Sequence, residues 1–198
     1  RLEAEGRMAL EQLVAGLEVQ DAGDALEVVI PPDGGSAVGC VFDPAVGHDV
    51  YLPAAEGTWP VILGRTPYNK AGVSNFAVEG TRKGYAVVVQ DCRGRGQSGG
   101  VFEPFVNEGH DGAASIEWAA RLPFSDGRVA TYGFSYQGLS QLYAAAEQPP
   151  SLVAIAPMMC CPDPYEGWFV EGGALRWPFV CFWAAQLAGQ DVQAGPIP

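Results

Sequence analysis

Ser135 is the residue of this chain best suited to act as a nucleophile. It lies in VATYGFSYQG (129–138), where an apolar strand pattern runs into a helix pattern. A serine at such a turn projects its hydroxyl above a sheet, and the following helix N-terminus offers N–H groups to a developing oxyanion. The spacing departs from G-x-S-x-G, because Gln137 holds the second glycine position and Gly138 follows it. The alternative for Ser135 is an ordinary helix N-cap.

A serine nucleophile also needs a general base and a carboxylate that orients the base. Where this turn occurs, the chain order is Ser, then Asp or Glu, then His. No histidine follows Ser135, since His48 and His110 both precede it, and His110 is expected to face solvent. Asp163 and Asp191 come too soon to be the acid. We therefore expect the acid and base outside this chain, and we expect the chain alone to be inactive.

Apolar strands and amphipathic helices alternate through the middle of the sequence. Strands are predicted at 59–64, 84–90, 128–132 and 152–156, and helices at 107–121 and 136–147. Such alternation indicates βαβ units in an open parallel sheet, and the uniformly apolar strands indicate a sheet covered on both faces. The predicted fold class is therefore α/β, with a doubly wound, mostly parallel sheet. A helix at 4–17 and a strand at 25–30 precede it, while 31–47 shows no clear pattern.

The composition of the sequence changes after Pro157. Proline, glycine and aromatic residues crowd together, and a helix is predicted at about 174–187. We interpret residues 1–157 as the N-terminal part of the core and residues 158–198 as the beginning of a helical cap domain.

Several further motifs follow one another in a definite order. They are RTPYNK (65–70) after a strand, QDCRGRGQSGG (90–100) after the next strand, SDGRV (125–129), the GFSYQG turn, and then Trp168 with GGAL (172–175). This ordered set, spanning residues 49–187, resembles serine hydrolases of the cocaine esterase and X-Pro dipeptidyl-peptidase family, which have the α/β-hydrolase fold. One departure is upstream, where a strand bearing R-D-G is absent.

The resemblance implies roles for three further residues. It makes the Tyr68 hydroxyl and the backbone N–H of Tyr136 the two donors of an oxyanion hole, and it places Trp168 in the acyl pocket. Two fixed donors suit acyl transfer, because negative charge develops on the carbonyl oxygen. The alternatives are a turn tyrosine packed on the sheet edge for Tyr68 and ordinary cap packing for Trp168.

The glycine-rich stretch RGRGQSGG (93–100) suggests a phosphate cradle at first sight. It lacks the G-K-[ST] ending of a P-loop and does not lead straight into a helix. We interpret it as a structural loop, with Asp91 and Arg93 holding the loop.

Composition excludes several classes of function. A net charge of −12 disfavours nucleic-acid binding. No apolar run of about 18 residues indicates a membrane span, and no signal peptide is visible, so a cytoplasmic location is expected. The chain has five cysteines without a C-x-x-C pair and only two histidines, which is poor material for a structural zinc site and favours buried free thiols. No cofactor is expected.

Three functional hypotheses remain open. The first is part of a serine hydrolase that cleaves a small-molecule ester or amide, completed by the remainder of the enzyme or another subunit. The second is a truncated, non-catalytic homologue that serves as a binding module. The third is a cysteine hydrolase that uses Cys92 or Cys160, which is the weakest because neither cysteine lies at a strand-to-helix turn.

Overall fold

The computed structural model describes residues 27–29, 38–40, 47–54 and 56–194. The helix predicted at 4–17 lies outside the described residues, as do the ends of the strand predicted at 25–30. The strands of the main sheet are β1 (Glu27–Val29), β2 (Val38–Cys40), β3 (His48–Tyr51), β4 (Trp59–Thr66), β5 (Ala86–Asp91), β6 (Ser125–Phe134) and β7 (Leu152–Met158). The helices are α1 (Ser74–Arg82), α2 (Glu108–Ala120), α3 (Tyr136–Ala146) and α4 (Trp177–Ala194).

In the described part of the chain these strands form one sheet in the order β1-β2-β3-β5-β4-β6-β7. The pairs β5/β4, β4/β6 and β6/β7 are parallel, whereas the pairs that join β1, β2, β3 and β5 are antiparallel. The predicted α/β class is confirmed, and so are the predicted strands β4, β5, β6 and β7 and the predicted helices α2 and α3. Neither the strand β3 nor the helix α1 was predicted. The strand is short and begins with two polar residues, and α1 contains Gly80, which weakens a helix pattern.

Helices cover both faces of the sheet, and β5 shows why its sequence is apolar throughout. Val87 and Val89 pack with Ala77 of α1 on one face. Val88 packs with Ile116 of α2 on the other face. Burying each such side chain contributes roughly 1.5–3 kcal/mol. The double covering therefore explains the continuous apolar run that the sequence shows at this strand.

The chain leaves the sheet after β7. A π-helical turn (Tyr165–Phe169), a small hairpin of β8 (Val170–Glu171) and β9 (Ala174–Leu175), and α4 follow. The predicted helix at about 174–187 thus begins three residues later and extends further. The division into a core and a cap at residue 157 stays a prediction. Among the described residues, no helix combines the length and the apolar character needed to cross a membrane.

Candidate active site

Ser135 lies at the junction of β6 and α3, in a backbone conformation that few non-glycine residues adopt. Its φ is +58° and its ψ is −123°. Such a conformation costs on the order of 1–3 kcal/mol and persists only where the surroundings impose it. The Ser135 N–H donates to the Met158 carbonyl at 2.8 Å, and the Ser135 carbonyl accepts from Leu139 N–H at 3.0 Å. The neighbouring strand and the helix therefore hold the turn from both sides.

The structure explains why glutamine can stand two residues after Ser135. Gly133, with φ +153°, lies so close to the Gln137 Cβ that any side chain at 133 would clash. A Cβ on Gly138 would lie 2.9 Å from the Met158 carbonyl oxygen. The turn thus needs its small residues at 133 and 138. Gln137 is free to bond elsewhere, and its amide donates to Thr66 Oγ1 at 3.1 Å.

The same threonine hydroxyl organises the turn that carries Tyr68. The Tyr68 backbone N–H donates to Thr66 Oγ1 at 3.1 Å. Further along the turn, Lys70 N–H donates to Asp91 Oδ1 at 2.8 Å. Asn69 has a positive φ of 76°, and its side-chain Oδ1 accepts the backbone N–H of Ala71 at 3.0 Å. Thr66 Oγ1 therefore links the Tyr68 turn directly to the helix behind Ser135.

The Tyr68 hydroxyl lies between α4 and Ser135. It accepts the indole N–H of Trp183 at 2.8 Å. Burial raises the pKa of Tyr68, while hydrogen bonds with Trp183 and Ser135 oppose that rise. The phenol therefore stays protonated at neutral pH, and its oxygen accepts the bond from the indole.

Tyr136 is anchored by its side chain and presents its backbone. Its hydroxyl donates to Glu108 Oε1 at 2.9 Å and accepts the Phe105 N–H at 3.1 Å. Glu108 in turn pairs with the buried Arg65 at 2.7 Å. Burial, then the charge of Glu108, raises the pKa of Tyr136. As the first residue of α3, Tyr136 has a backbone N–H with no acceptor within the helix.

The four residues predicted for the site, Ser135, Tyr68, Tyr136 and Trp168, meet at one cavity of about 210 Å³. Its remaining lining is mostly aromatic and consists of Phe105, Phe169, Phe179, Phe182, Trp183 and Gln186. The sequence analysis did not single out Phe105 or Trp183. Phe105 has a positive φ of 68° and lies in an irregular loop, so no helical or strand periodicity in the sequence could indicate its position. It stacks on Tyr136 with 4.6 Å between ring centroids.

Neither histidine lines this cavity. The His110 side chain is 84% exposed and lies 3.3 Å from Glu147, as expected of a solvent-facing residue. His48 is buried edge-on against Trp118. A general base for Ser135 is therefore not found among the residues that line its cavity.

The cysteines offer no competing nucleophile at this site. Cys92 is fully buried, and burial raises the pKa of its thiol well above the usual value, which opposes the thiolate form. Cys92, Cys160, Cys161 and Cys181 are free. Among these four described thiols, the expectation of burial holds for Cys92, whereas Cys160 and Cys161 are half-buried and Cys181 is exposed. No cluster of three or more metal-ligating His, Cys, Asp or Glu occurs within the described part of the chain.

A larger cavity, about 360 Å³, lies between α2 and the ends of β3 and β5. Its charged groups bind one another, with the Arg93 guanidinium donating to both carboxylate oxygens of Asp111. Its serine, Ser115, lies within a helix and donates to the Asp111 carbonyl at 2.6 Å. The smaller cavity is therefore the candidate active site, because it alone of the two holds a serine at a strained turn.

Comparisons with known proteins identify the family and the fold of this chain. The chain is 39% identical over 146 residues to cocaine esterase of Rhodococcus sp. (strain MB1 Bresler), which covers 70% of this chain and 25% of that protein. The chain thus spans about a quarter of the length of this relative. A CocE/NonD family hydrolase from Staphylococcus aureus superposes with a TM-score of 0.72 at 23% identity, covering 92% of this chain and 39% of that one.

A second solved structure, an aminopeptidase from a marine sediment thaumarchaeon, has a TM-score of 0.63 at 21% identity over 87% of this chain and 32% of its own. At these identities the two structures establish the fold, which is that of the α/β-hydrolases. The family model described as X-Pro dipeptidyl-peptidase (S15 family) matches residues 45–197. That span includes β3 and every later element, and so the chain belongs to the X-Pro dipeptidyl-peptidase (S15) family.

Proposed function

We propose that this chain carries the nucleophile and the oxyanion-binding groups of a serine hydrolase that cleaves an acyl ester or amide bond. One observation carries the proposal. Ser135 stands on a strained strand-to-helix turn at the mouth of an aromatic cavity, beside the Tyr68 hydroxyl and the Tyr136 backbone N–H. A nucleophile, two donors and an apolar pocket are the parts that acyl transfer requires.

In the proposed reaction, the Ser135 hydroxyl attacks the carbonyl carbon of the substrate and gives its proton to a general base. Tyr68 and the Tyr136 N–H stabilise the oxyanion of the tetrahedral intermediate. The base returns the proton to the departing alcohol or amine, and water then hydrolyses the acyl-Ser135 ester by the same steps. The base and its orienting carboxylate, a histidine and an aspartate, are proposed to come from outside these 198 residues.

Two further considerations support this function. The curated relative is by name an esterase, so a small-molecule ester is the first substrate class to test. The cavity walls are mainly aromatic, which suits an apolar acyl or leaving group. The proposed chemistry needs no cofactor. A cytoplasmic location is proposed on the sequence alone.

A fluorophosphonate probe tests the proposal directly, because it reacts with serines that are activated by a base. We expect the full-length protein to be labelled at Ser135 and to hydrolyse a simple aryl ester, and Ser135→Ala to lose both. The 198-residue segment alone should react far more slowly, since it lacks the base. Ser140, a buried serine one turn further along α3, provides the matched control. Ser140→Ala should keep full labelling.

Absence of labelling in folded full-length protein would overturn the proposal. Ligand-induced melting shifts without any hydrolysis would then favour the binding-module hypothesis. Labelling that survives in Ser135→Ala would assign the chemistry to another serine.

A further inference from the structure

Arg95 connects two parts of the molecule that the sequence analysis treated separately. It lies in the glycine-rich loop after β5, and its side chain is only 4% exposed. Its Nε donates to the Pro67 carbonyl at 2.9 Å, and its Nη2 donates to the Leu187 carbonyl at 3.1 Å. Pro67 immediately precedes Tyr68, and Leu187 lies on α4. The Arg95 guanidinium therefore joins the Tyr68 turn to α4.

The bond to Leu187 has a consequence for Trp183, which lies one helical turn earlier on α4. Residues four apart occupy the same face of a helix, so the position of one constrains the other. Trp183 donates its indole N–H to the Tyr68 hydroxyl at 2.8 Å. The contacts thus form a closed loop that runs from Arg95 to Pro67 and Tyr68, across to Trp183, and back through Leu187.

An arginine is well suited to this bridge. The planar guanidinium presents its donors in a fixed fork, so two carbonyls on different elements are held in one geometry. The group lies over the Phe102 ring, 5.2 Å from the centroid. The Arg95 backbone is fixed as well, since its N–H donates to the Cys92 carbonyl at 2.9 Å and its carbonyl accepts from Ser98 at 2.8 Å. The bridge is therefore rigid at its loop end.

The bond from Trp183 occupies the Tyr68 oxygen and directs the phenolic proton elsewhere. In a chain of hydrogen bonds, a donor to the phenol oxygen also polarises its O–H, which makes it a stronger donor. Ser135 lies within hydrogen-bond reach of the same hydroxyl. Holding α4 in place thus keeps the Trp183 donor on the Tyr68 oxygen.

We propose that Arg95 is a positioning residue of the Ser135 site, which holds α4 against the Tyr68 turn so that Trp183 donates to the Tyr68 hydroxyl. The catalytic consequence rests on the proposed function, whereas the structural link can be tested independently of it.

The link is tested in full-length protein by NMR of ¹⁵N-labelled tryptophan indoles, with the Trp183 signal identified by its loss in Trp183→Phe. Arg95→Met keeps the apolar stem and removes both donated bonds. We expect the Trp183 indole signal to move towards that of a free indole and to exchange with solvent at least about tenfold faster. Arg93→Met, a change in the same loop at an exposed arginine bound to Asp111, should leave the signal in place.

Arg95→Lys covers the case in which Arg95→Met does not fold. Lysine keeps the charge but has no fork, so the signal should move part of the way. An unmoved Trp183 signal in a folded Arg95 variant, or an equal displacement in Arg93→Met, would overturn the link.

The catalytic consequence is measured with a small acetyl ester. Arg95→Met should lower kcat about tenfold or more, because small misplacements of reacting groups are costly. KM for this small ester should change less than kcat, since an acetyl group contacts little of the aromatic lining that α4 carries. Unchanged kcat despite a displaced indole would overturn the positioning role. If full-length wild-type protein hydrolyses nothing, the proposed function fails, while the NMR result still decides the Arg95 link.

Discussion

The two walls of the cavity at Ser135 are built in different ways. We call Tyr68, Ser135 and Tyr136 the sheet wall, and we call the aromatic side chains of the segment after β7 the cap wall. These are Trp168, Phe169, Phe179, Phe182 and Trp183. Hydrogen bonds to Thr66, Asp91 and Glu108 hold the sheet wall. The cap wall consists of tilted ring contacts about 6 Å apart, and Phe182 is 72% exposed.

The difference teaches where precision is needed. A donor to an oxyanion must be placed to within a few tenths of an ångström, and directional bonds in a buried network provide such placement. An apolar pocket only has to exclude water and match a shape, so loosely packed rings are sufficient. The polar link from Trp183 to Tyr68 joins the cap wall to the sheet wall, and the bond from Arg95 to Leu187 joins α4 to the loop after β5. Under the proposed function, the sheet wall carries the chemistry and the cap wall selects the substrate.

The largest effect is expected from removing a sheet-wall donor. Under the proposed function, Tyr68→Phe in the full-length protein should lower kcat about 10²–10³-fold, because it removes one of the two proposed oxyanion donors. The melting temperature should change little, since the ring keeps its packing although the bond from the Trp183 indole is lost. Steady-state kinetics and thermal unfolding check both. Unchanged turnover would remove Tyr68 from the oxyanion role.

A smaller effect is expected from the network beneath Tyr136. Glu108→Gln leaves Arg65 without its closest carboxylate in a buried position, and breaking a buried ion pair is strongly destabilising. We expect the free energy of unfolding to fall by about 3 kcal/mol, as measured by urea denaturation.

The control for Glu108→Gln is Glu79→Gln, which also removes a carboxylate that pairs with a basic side chain. Glu79 lies on the surface beside Arg82 and Lys83 at 3.7 and 3.6 Å. Exposed pairs contribute about 0–1 kcal/mol, so this change should be nearly silent. Equal effects of the two variants would contradict the view that the sheet wall is rigidly supported.

The smallest effect on stability is expected in the cap wall. Phe182→Ser replaces a mostly exposed ring and should change the free energy of unfolding by no more than about 0.5 kcal/mol. KM for a bulky aryl ester should rise in the same variant, while kcat for a small acetyl ester stays unchanged. A large loss of stability would show that the two walls are not as different as their contacts indicate.

The sequence predicted the parts of this fold that repeat a strong local pattern. The strands β4 to β7 and the helices α2 and α3 are long or uniformly apolar, and all were located to within a few residues. The strand β3 and the helix α1 were missed, because each is short and carries polar residues or glycine. Their stability comes from packing, as Tyr51 and Ala77 show by meeting Val87 and Val89 in one buried cluster.

Only part of the candidate site could be predicted from local sequence patterns. Ser135 could be located because a strand, a glycine-bearing turn and a helix adjoin it in sequence. Tyr68 and Trp168 were suggested only by resemblance to a family, and their roles stay predictions. Phe105, Arg95 and Trp183 had no local signal, since Trp183 lies 115 positions from the hydroxyl that it bonds.

By itself, then, the sequence determined the fold class and the residue that stands at the strand-to-helix turn. Both follow from interactions between residues close along the chain, where periodicity and turn chemistry act. Only the tertiary structure decided that Gln137 and Tyr68 both donate to Thr66 Oγ1, and that Glu108 anchors Tyr136. It also decided that Arg95 donates to the Leu187 carbonyl on α4. Apart from the bond between Tyr68 and Thr66, these contacts join residues 28–92 positions apart in the sequence. Only the packing of the sheet and helices brings such distant groups within hydrogen-bond reach.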